Sequence, residues 1–146
     1  MSSVPLTRDE LRSFLRTQKL MVLSSLGPEG APQAAVVGYA VSEALELVFD
    51  TLSSTRKYRN LRADPRVALV VFSDERTAQL EGTVDFPEGE ELERLQRVYF
   101  GPYPDGRERL AWPGITHGRV RLTWARLSDY TAEPPRIVEL SAEAFR

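Results

Sequence analysis

Four cations crowd the stretch TLSSTRKYRNLR, where Arg56, Lys57, Arg59 and Arg62 follow Ser53, Ser54 and Thr55, with no acid between Asp50 and Asp64. The hydroxyl residues are good N-caps, and Tyr58 and Leu61 fall three apart, so a short helix is expected to begin here. A helix start carries partial positive charge and favours acids in its first turn. Arg56 and Lys57 break that preference, which calls for an anion from outside the chain. Free backbone N–H groups, Ser/Thr hydroxyls and two cations suit one phosphate. A solvated basic helix would have the same composition; the first-turn placement of the cations is what favours the anion site.

The other reactive residues are sparse. Cys is absent and His117 is the only histidine, so a thiolate nucleophile, a catalytic triad or a His-ligated metal lacks partners, and no metal is expected. His117 follows Trp112-Pro113-Gly114-Ile115-Thr116 and is expected to be a satisfied loop or interface residue. Trp112 and Trp124 could stack on an aromatic ligand, although core or interface packing is the commoner use of Trp. The acids from Glu88 to Glu93 read as helix-start charge and a solvated face. There is no GxGxxG and no Walker motif. No residue stands out as catalytic.

Composition is that of an ordinary soluble chain: 42% hydrophobic, 27% charged, net charge −2 over 146 residues, expected to form one domain over 1–146. That balance argues against a general nucleic-acid or membrane binder, and makes the basic cluster a local feature. The start MSSVPLTRDELRSF lacks the apolar core of a signal peptide, and no run approaches the roughly 20 apolar residues of a membrane span. A cytoplasmic location is expected.

Thr7 and Glu10 form a capping box ahead of Leu11, Phe14 and Leu15, predicting a helix over Thr7 to Lys19. Strands are expected over Leu20 to Leu26, Pro32 to Val41, Leu45 to Asp50, Arg66 to Ser73, Arg76 to Phe86 and Gly118 to Tyr130. Between the third and fourth lies the basic helix, ended by Asp64-Pro65. A further helix is expected from Pro87 to Phe100, then a long Gly/Pro-rich loop to Gly118. The tail with Pro134-Pro135 and IVEL reads as either a short strand or an arm. Antiparallel neighbours joined by short turns predict a small closed or partly split barrel decorated by helices.

The segments Leu23 to Val41, Val48 to Pro65 and Val67 to Val84 resemble the pyridoxamine 5′-phosphate oxidase-like family of FMN-binding split barrels. The hairpin GPEGAPQAAVVGY, the block VFDTLSSTRKYRNLRADPRVALVVF and the strand RTAQLEGTVDF carry the resemblance, the middle block being the specific part. It implies a mainly β, six-stranded antiparallel split barrel of Greek-key type. It implies a homodimer with one FMN in each of two interface clefts. Carried over by position, Arg56, Lys57, Thr51 and Thr55 would hold the flavin phosphate. The backbone of Ala35, Val36 and Val37 would run beside the flavin ring, with Thr77 or Gln79 facing it. Trp112, Trp124 or Arg126 would shape the substrate side from the partner subunit.

The implied activity is transfer of hydride or electrons between the flavin and a small-molecule substrate, for which the cofactor supplies the redox chemistry. Two departures point away from pyridoxamine phosphate itself as that substrate. PQAAVVGYA offers Ala34 and Ala35 where the oxidases carry an arginine, and TAEPPRIVELSAEAFR lacks their arginine- and histidine-containing segment. A deazaflavin, whose acidic tail also suits Arg56, Lys57 and Arg59, and a non-enzymatic flavin-binding module are the alternative readings.

Overall fold

A computed structural model describes residues 4–146. Helix α1 (Arg8–Thr17) starts where the capping box predicts, with Thr7 Oγ1 accepting from the Glu10 N–H at 3.0 Å, and buries Leu11, Phe14 and Leu15. Its polar face stays wet. Strands β1 (Leu20–Leu26) and β2 (Pro32–Gly38) form a hairpin around a tight turn at Gly27–Ala31, in which Glu29 and Gly30 have positive φ. Strand β4 (Leu47–Leu52) leads into α2 (Arg56–Ala63), which ends at Asp64 before Pro65. Strands β5 (Arg66–Phe72) and β6 (Arg76–Asp85) follow, then α3 (Gly89–Phe100), β7 (Ile115–Asp129) and β8 (Arg136–Leu140).

All pairings among the described residues are antiparallel, in the order β2-β1-β5-β6-β7-β4-β3, where β3 is Ala40–Val41, with β8 beside β7. The mainly β, antiparallel split-barrel expectation therefore holds, with eight strands among the described residues in place of six. One extra strand arises because the predicted Pro32 to Val41 strand breaks at Tyr39. Its first part pairs with β1 and its second, β3 (Ala40–Val41), with β4. A single run of chain thus reaches from one edge of the curled sheet to the other. Tyr39 holds the bend: its side chain is buried, its hydroxyl donates to the Leu15 carbonyl at 2.5 Å, and its N–H donates to Lys19 O. The second extra strand is the tail, which pairs with β7 from Ala125 to Asp129.

Alternation along β6 sends Ala78, Leu80, Gly82 and Val84 inward and Gln79, Glu81 and Thr83 outward, as the period of two requires. They join Leu23, Phe49, Leu69, Val120 and Leu127 in one apolar core. A smaller cluster of Ala40, Val48, Leu95, Tyr99 and Phe100 forms where α3 lies on the sheet. Among the described residues no helix is long and apolar enough to cross a membrane.

A bulge interrupts the β6–β7 ladder between Glu81 and Gly82, leaving Thr123 without a partner in register. Gly82 is required there: a Cβ would sit 2.3 Å from the Arg121 carbonyl oxygen, a backbone atom that cannot step aside cheaply. Gly82→Ala is expected to destabilise the fold by about 1–3 kcal/mol through overpacking, read as a lower urea midpoint at an unchanged m-value.

Candidate functional site

The basic helix begins as its sequence predicts. Thr55 is the N-cap of α2, its Oγ1 accepting from the Tyr58 N–H at 3.3 Å and donating to Leu52 O at 2.8 Å. The buried Thr51 hydroxyl lies 3.1 Å from the same oxygen. With its single hydrogen given to Leu52, Thr55 accepts from Thr51, so these two hydroxyls are spent on shaping the turn. The first-turn N–H groups of Arg56 and Lys57 have no intrahelical acceptor.

No acid sits in the first turn of α2. Among the described residues, no carboxylate forms an ion pair with Arg56, Lys57 or Arg59. Arg56 is held in place by a neutral group: its Nε donates to Gln33 Oε1 at 3.1 Å. The same oxygen accepts from the buried Asn60 amide at 2.8 Å, and Asn60 also donates to Ser25 Oγ at 3.1 Å. This Ser25–Asn60–Gln33 set was missed by sequence reasoning. The one available signal was Asn60, a polar residue on the face of α2 that also carries the core residue Leu61. Lys57 is half-buried, and desolvation lowers its pKa, against which Asp50 acts in the opposite sense. A bound anion would offset that desolvation.

Two adjoining clefts meet at these cations. The first, about 480 Å³, is lined by Leu23, Ser25, Pro32, Gln33, Ala34 and Ala35 with Thr55, Arg56 and Lys57. The second, about 340 Å³, shares Thr55 and Lys57 and continues along Val36, Val37 and Gly38 to Asp50, Thr51, Arg109 and Trp112. Of the predicted site residues, Thr51, Thr55, Arg56, Lys57, Ala35, Val36 and Val37 are thus gathered in one subunit.

Thr77, Gln79 and Trp124 lie elsewhere. In register, Val36 faces Val22, Val22 faces Val70 and Val70 faces Gln79. Three strand spacings, about 14 Å, therefore separate Gln79 from β2. Trp124 sits one strand further, its indole N–H donating to Glu139 Oε1 at 2.8 Å with the Arg126 guanidinium 5.4 Å from its ring. The outer sheet face that joins these positions carries exposed Leu20, Val36 and Phe72.

The segment expected to be a loop over Gly101 to Gly118 is largely ordered structure. Residues Pro104–Ala111 wind as a 3-10 segment, and β7 already begins at Ile115 because Ile115, Thr116 and His117 pair with Leu52, Thr51 and Asp50. Arg109 from that segment closes on Asp50, Nε to Oδ2 at 2.7 Å, and its Nη2 lies 3.4 Å from the Tyr99 hydroxyl. Burial, then the nearby Asp50 charge, push the Tyr99 hydroxyl up to about 12. The expectation for His117 is corrected. It is an interior strand residue, 1% exposed, and neither ring nitrogen has a hydrogen-bond partner among the described residues.

Residues 7–124 match the family model described as pyridoxamine 5′-phosphate oxidase. The pyridoxine/pyridoxamine 5′-phosphate oxidase of Rubrobacter xylanophilus is 34% identical over 106 residues, covering 71% of this chain and 47% of that protein. The chain thus spans about half the length of the curated relatives it matches. Among solved structures, a heme binding protein from Mycobacterium smegmatis superposes with TM-score 0.82 at 22% identity, over 99% of this chain and 61% of that one. A pyridoxamine 5′-phosphate oxidase-related, FMN binding protein from Nostoc punctiforme superposes at 0.71 with 13% identity, over 94% and 91%. At these identities the structural likeness establishes the fold.

Proposed function

The chain belongs to the pyridoxamine 5′-phosphate oxidase family, and on that premise we propose that it is a flavin-binding protein, an FMN-dependent oxidoreductase acting on a small molecule as a homodimer. The observation that carries the reading is the pair of un-neutralised cations, Arg56 and Lys57, at the start of an acid-free helix beside a cleft. When bound, the flavin supplies the redox chemistry, so the protein need contribute only binding, orientation and electrostatics. Arg56, fixed by Gln33, and half-buried Lys57 would hold the phosphate, with the N–H groups of the first turn completing the cradle. Thr51 and Thr55 would act indirectly, by holding the turn that aims them. Ala35, Val36 and Val37 would present backbone to the ring.

The homodimer is supported by the exposed apolar residues on the outer sheet face, 59% at Leu20, 64% at Val36 and 59% at Phe72. A second copy set there would cover them, and would bring a partner's strands near β2 of the first subunit, where Gln79 and Trp124 of the same chain do not reach. Haem, which the Mycobacterium smegmatis neighbour is described as binding, finds less support: the sole histidine is 1% exposed and lines neither of the two clefts at Lys57.

The test is the absorption spectrum of the purified protein, followed by FMN, FAD and riboflavin titrations and reduction by NADH or NADPH. Oxidised-flavin bands, FMN held more tightly than riboflavin, and bleaching by a nicotinamide donor are the expected results. Bound flavin that no donor reduces would make this a binding module. Absence of flavin affinity, or preference for a deazaflavin, would overturn the FMN assignment.

A further inference from the structure

His117 is the most unusual polar group in the fold. An imidazole with 1% exposure and, among the described residues, no partner for either nitrogen forgoes hydrogen bonds that a buried polar group normally makes. Its cage is aromatic: the Tyr99 and Phe100 rings of α3 stand edge-on at 5.3 Å and 5.7 Å. Gly106 of the 3-10 segment packs on those same two rings, where an added Cβ would be 3.1 Å from both. The segment over residues 104–111 is therefore the outer layer above the histidine. It is also one wall of the cleft beside Lys57, through Arg109 and the neighbouring Trp112.

The charged groups around the imidazole are few. Asp50 of β4 is its cross-strand partner, which places the two side chains next to each other on one face of the sheet. Arg109 of the 3-10 segment is held by Asp50 at 2.7 Å and, more loosely, by Asp105 of its own segment at 3.4 Å, while Arg107 lies over the Phe100 ring at 4.9 Å. Tyr99 of α3 is neutral near neutrality. On β7 itself, Arg119 lies two residues on, already engaged by Asp85, Glu46 and Glu91. Among the described residues Asp50 is thus the carboxylate set beside His117, and it is the same carboxylate that ties down Arg109.

We propose that His117 is a proton-operated latch on the 104–111 segment: on taking up a proton it competes with Arg109 for the Asp50 carboxylate and releases the segment from the cleft wall. Near neutral pH the imidazole is uncharged, Asp50 belongs to Arg109, and the segment is closed. The direction follows from burial, which holds the His117 pKa below its ordinary value, with Arg109 acting in the same sense and Asp50 against it. A base whose folded-state pKa is depressed stabilises the closed form above the unfolded value, about 6.5, and that stability is lost as pH falls below it. The consequence for ligand binding rests on the flavin reading above, since Asp50 also faces Lys57; the latch itself does not.

A single histidine makes the test direct, because the imidazole carbon-bound proton gives one NMR titration from about pH 7.5 to about pH 5. Run on the ligand-free protein beside amide exchange of residues 104–114, the imidazole is expected to titrate below its ordinary value. Segment exchange, corrected for intrinsic rate, should rise about tenfold or more with the same midpoint. In His117→Phe, whose ring fills the same cage, segment exchange should not respond to pH. In Asp50→Asn the segment should exchange fast at both ends of the range. A segment that stays protected while the imidazole titrates, a pH response retained in His117→Phe, or an imidazole that stays neutral to the acid limit would each overturn the latch. Failure of FMN to bind at any pH would sink the flavin reading and leave these measurements untouched.

Discussion

Changing Arg56 and Lys57 together to Ala is expected to weaken FMN binding by about 3–6 kcal/mol while leaving riboflavin affinity unchanged, each charge-assisted contact to phosphate being worth roughly 1.5–3 kcal/mol. The two residues will not contribute equally. Arg56 is exposed, and its Nε is already occupied by Gln33, so its effect belongs at the low end and weakens with salt. Lys57 is half-buried, and its charge is disfavoured by desolvation until an anion arrives. Its removal should cost more, and the loss should persist at high ionic strength. Isothermal titration with both ligands at two salt concentrations separates the contributions. Equal losses for FMN and riboflavin would mean that the pair does not serve the phosphate. Gln33→Leu offers a milder version: it keeps both charges but frees Arg56 from its hydrogen bond, and leaves the Asn60 amide with Ser25 alone.

Much of the fold could be read along the chain wherever the cause is local. The Thr7 cap, the Thr55 cap and the stop at Asp64-Pro65 fix helix ends through bonds spanning three or four residues. Alternation in Arg76 to Asp85 sorts its two faces, because a strand has only two. The missed features depend on distant partners. Nothing local to PQAAVVGYAV says that its two ends pair with opposite edges of the sheet, so the bend at Tyr39, held by Leu15 and Lys19, was read as one strand. Trp112-Pro113-Gly114 has loop chemistry, which hid the start of β7 at Ile115. The candidate site divides the same way. The cations on α2 and the β2 residues beside them were legible from type and order. The Gln33 oxygen that holds Arg56, and the Asp50 that holds Arg109, join residues 23 and 59 positions apart and left no periodic trace.

Removing the Arg119 side chain is expected to be the most damaging single change to the fold. Arg119 is 3% exposed, yet it serves three carboxylates. Its Nε and Nη2 donate to the two oxygens of Asp85 at 2.9 Å and 2.6 Å, and Nη1 lies 3.0 Å from Glu91 and 3.3 Å from Glu46. Arg94 of α3 completes the set, bridging Glu46 and Glu91. The network joins the end of β6, the turn before β4, the middle of β7 and the first turns of α3, so it clamps the helix that carries Tyr99 and Phe100 over His117. With Arg119→Ala, Asp85 loses its hydrogen-bonded arginine and Glu46 and Glu91 are left to Arg94 alone in a partly buried site, a loss of about 3–5 kcal/mol at neutral pH. Lost packing alone would give a deficit independent of pH, whereas the ionic account makes it shrink in acid. The hydrogen bond from Arg119 is the main cause holding Asp85 below its usual range. For Glu46, burial acts upward as the largest influence, but the bonds from Arg94 and Ser42 with the charges of Arg94 and Arg119 leave its pKa lowered. Depressed carboxylates stabilise the fold above their unfolded pKa values and lose that contribution as pH falls through the folded ones. The parent should therefore lose stability on acidification faster than Arg119→Ala, and the two urea midpoints should converge toward about pH 4 and below. A gap that stays constant from neutral pH into that range would assign the damage to the cavity and not to the charges.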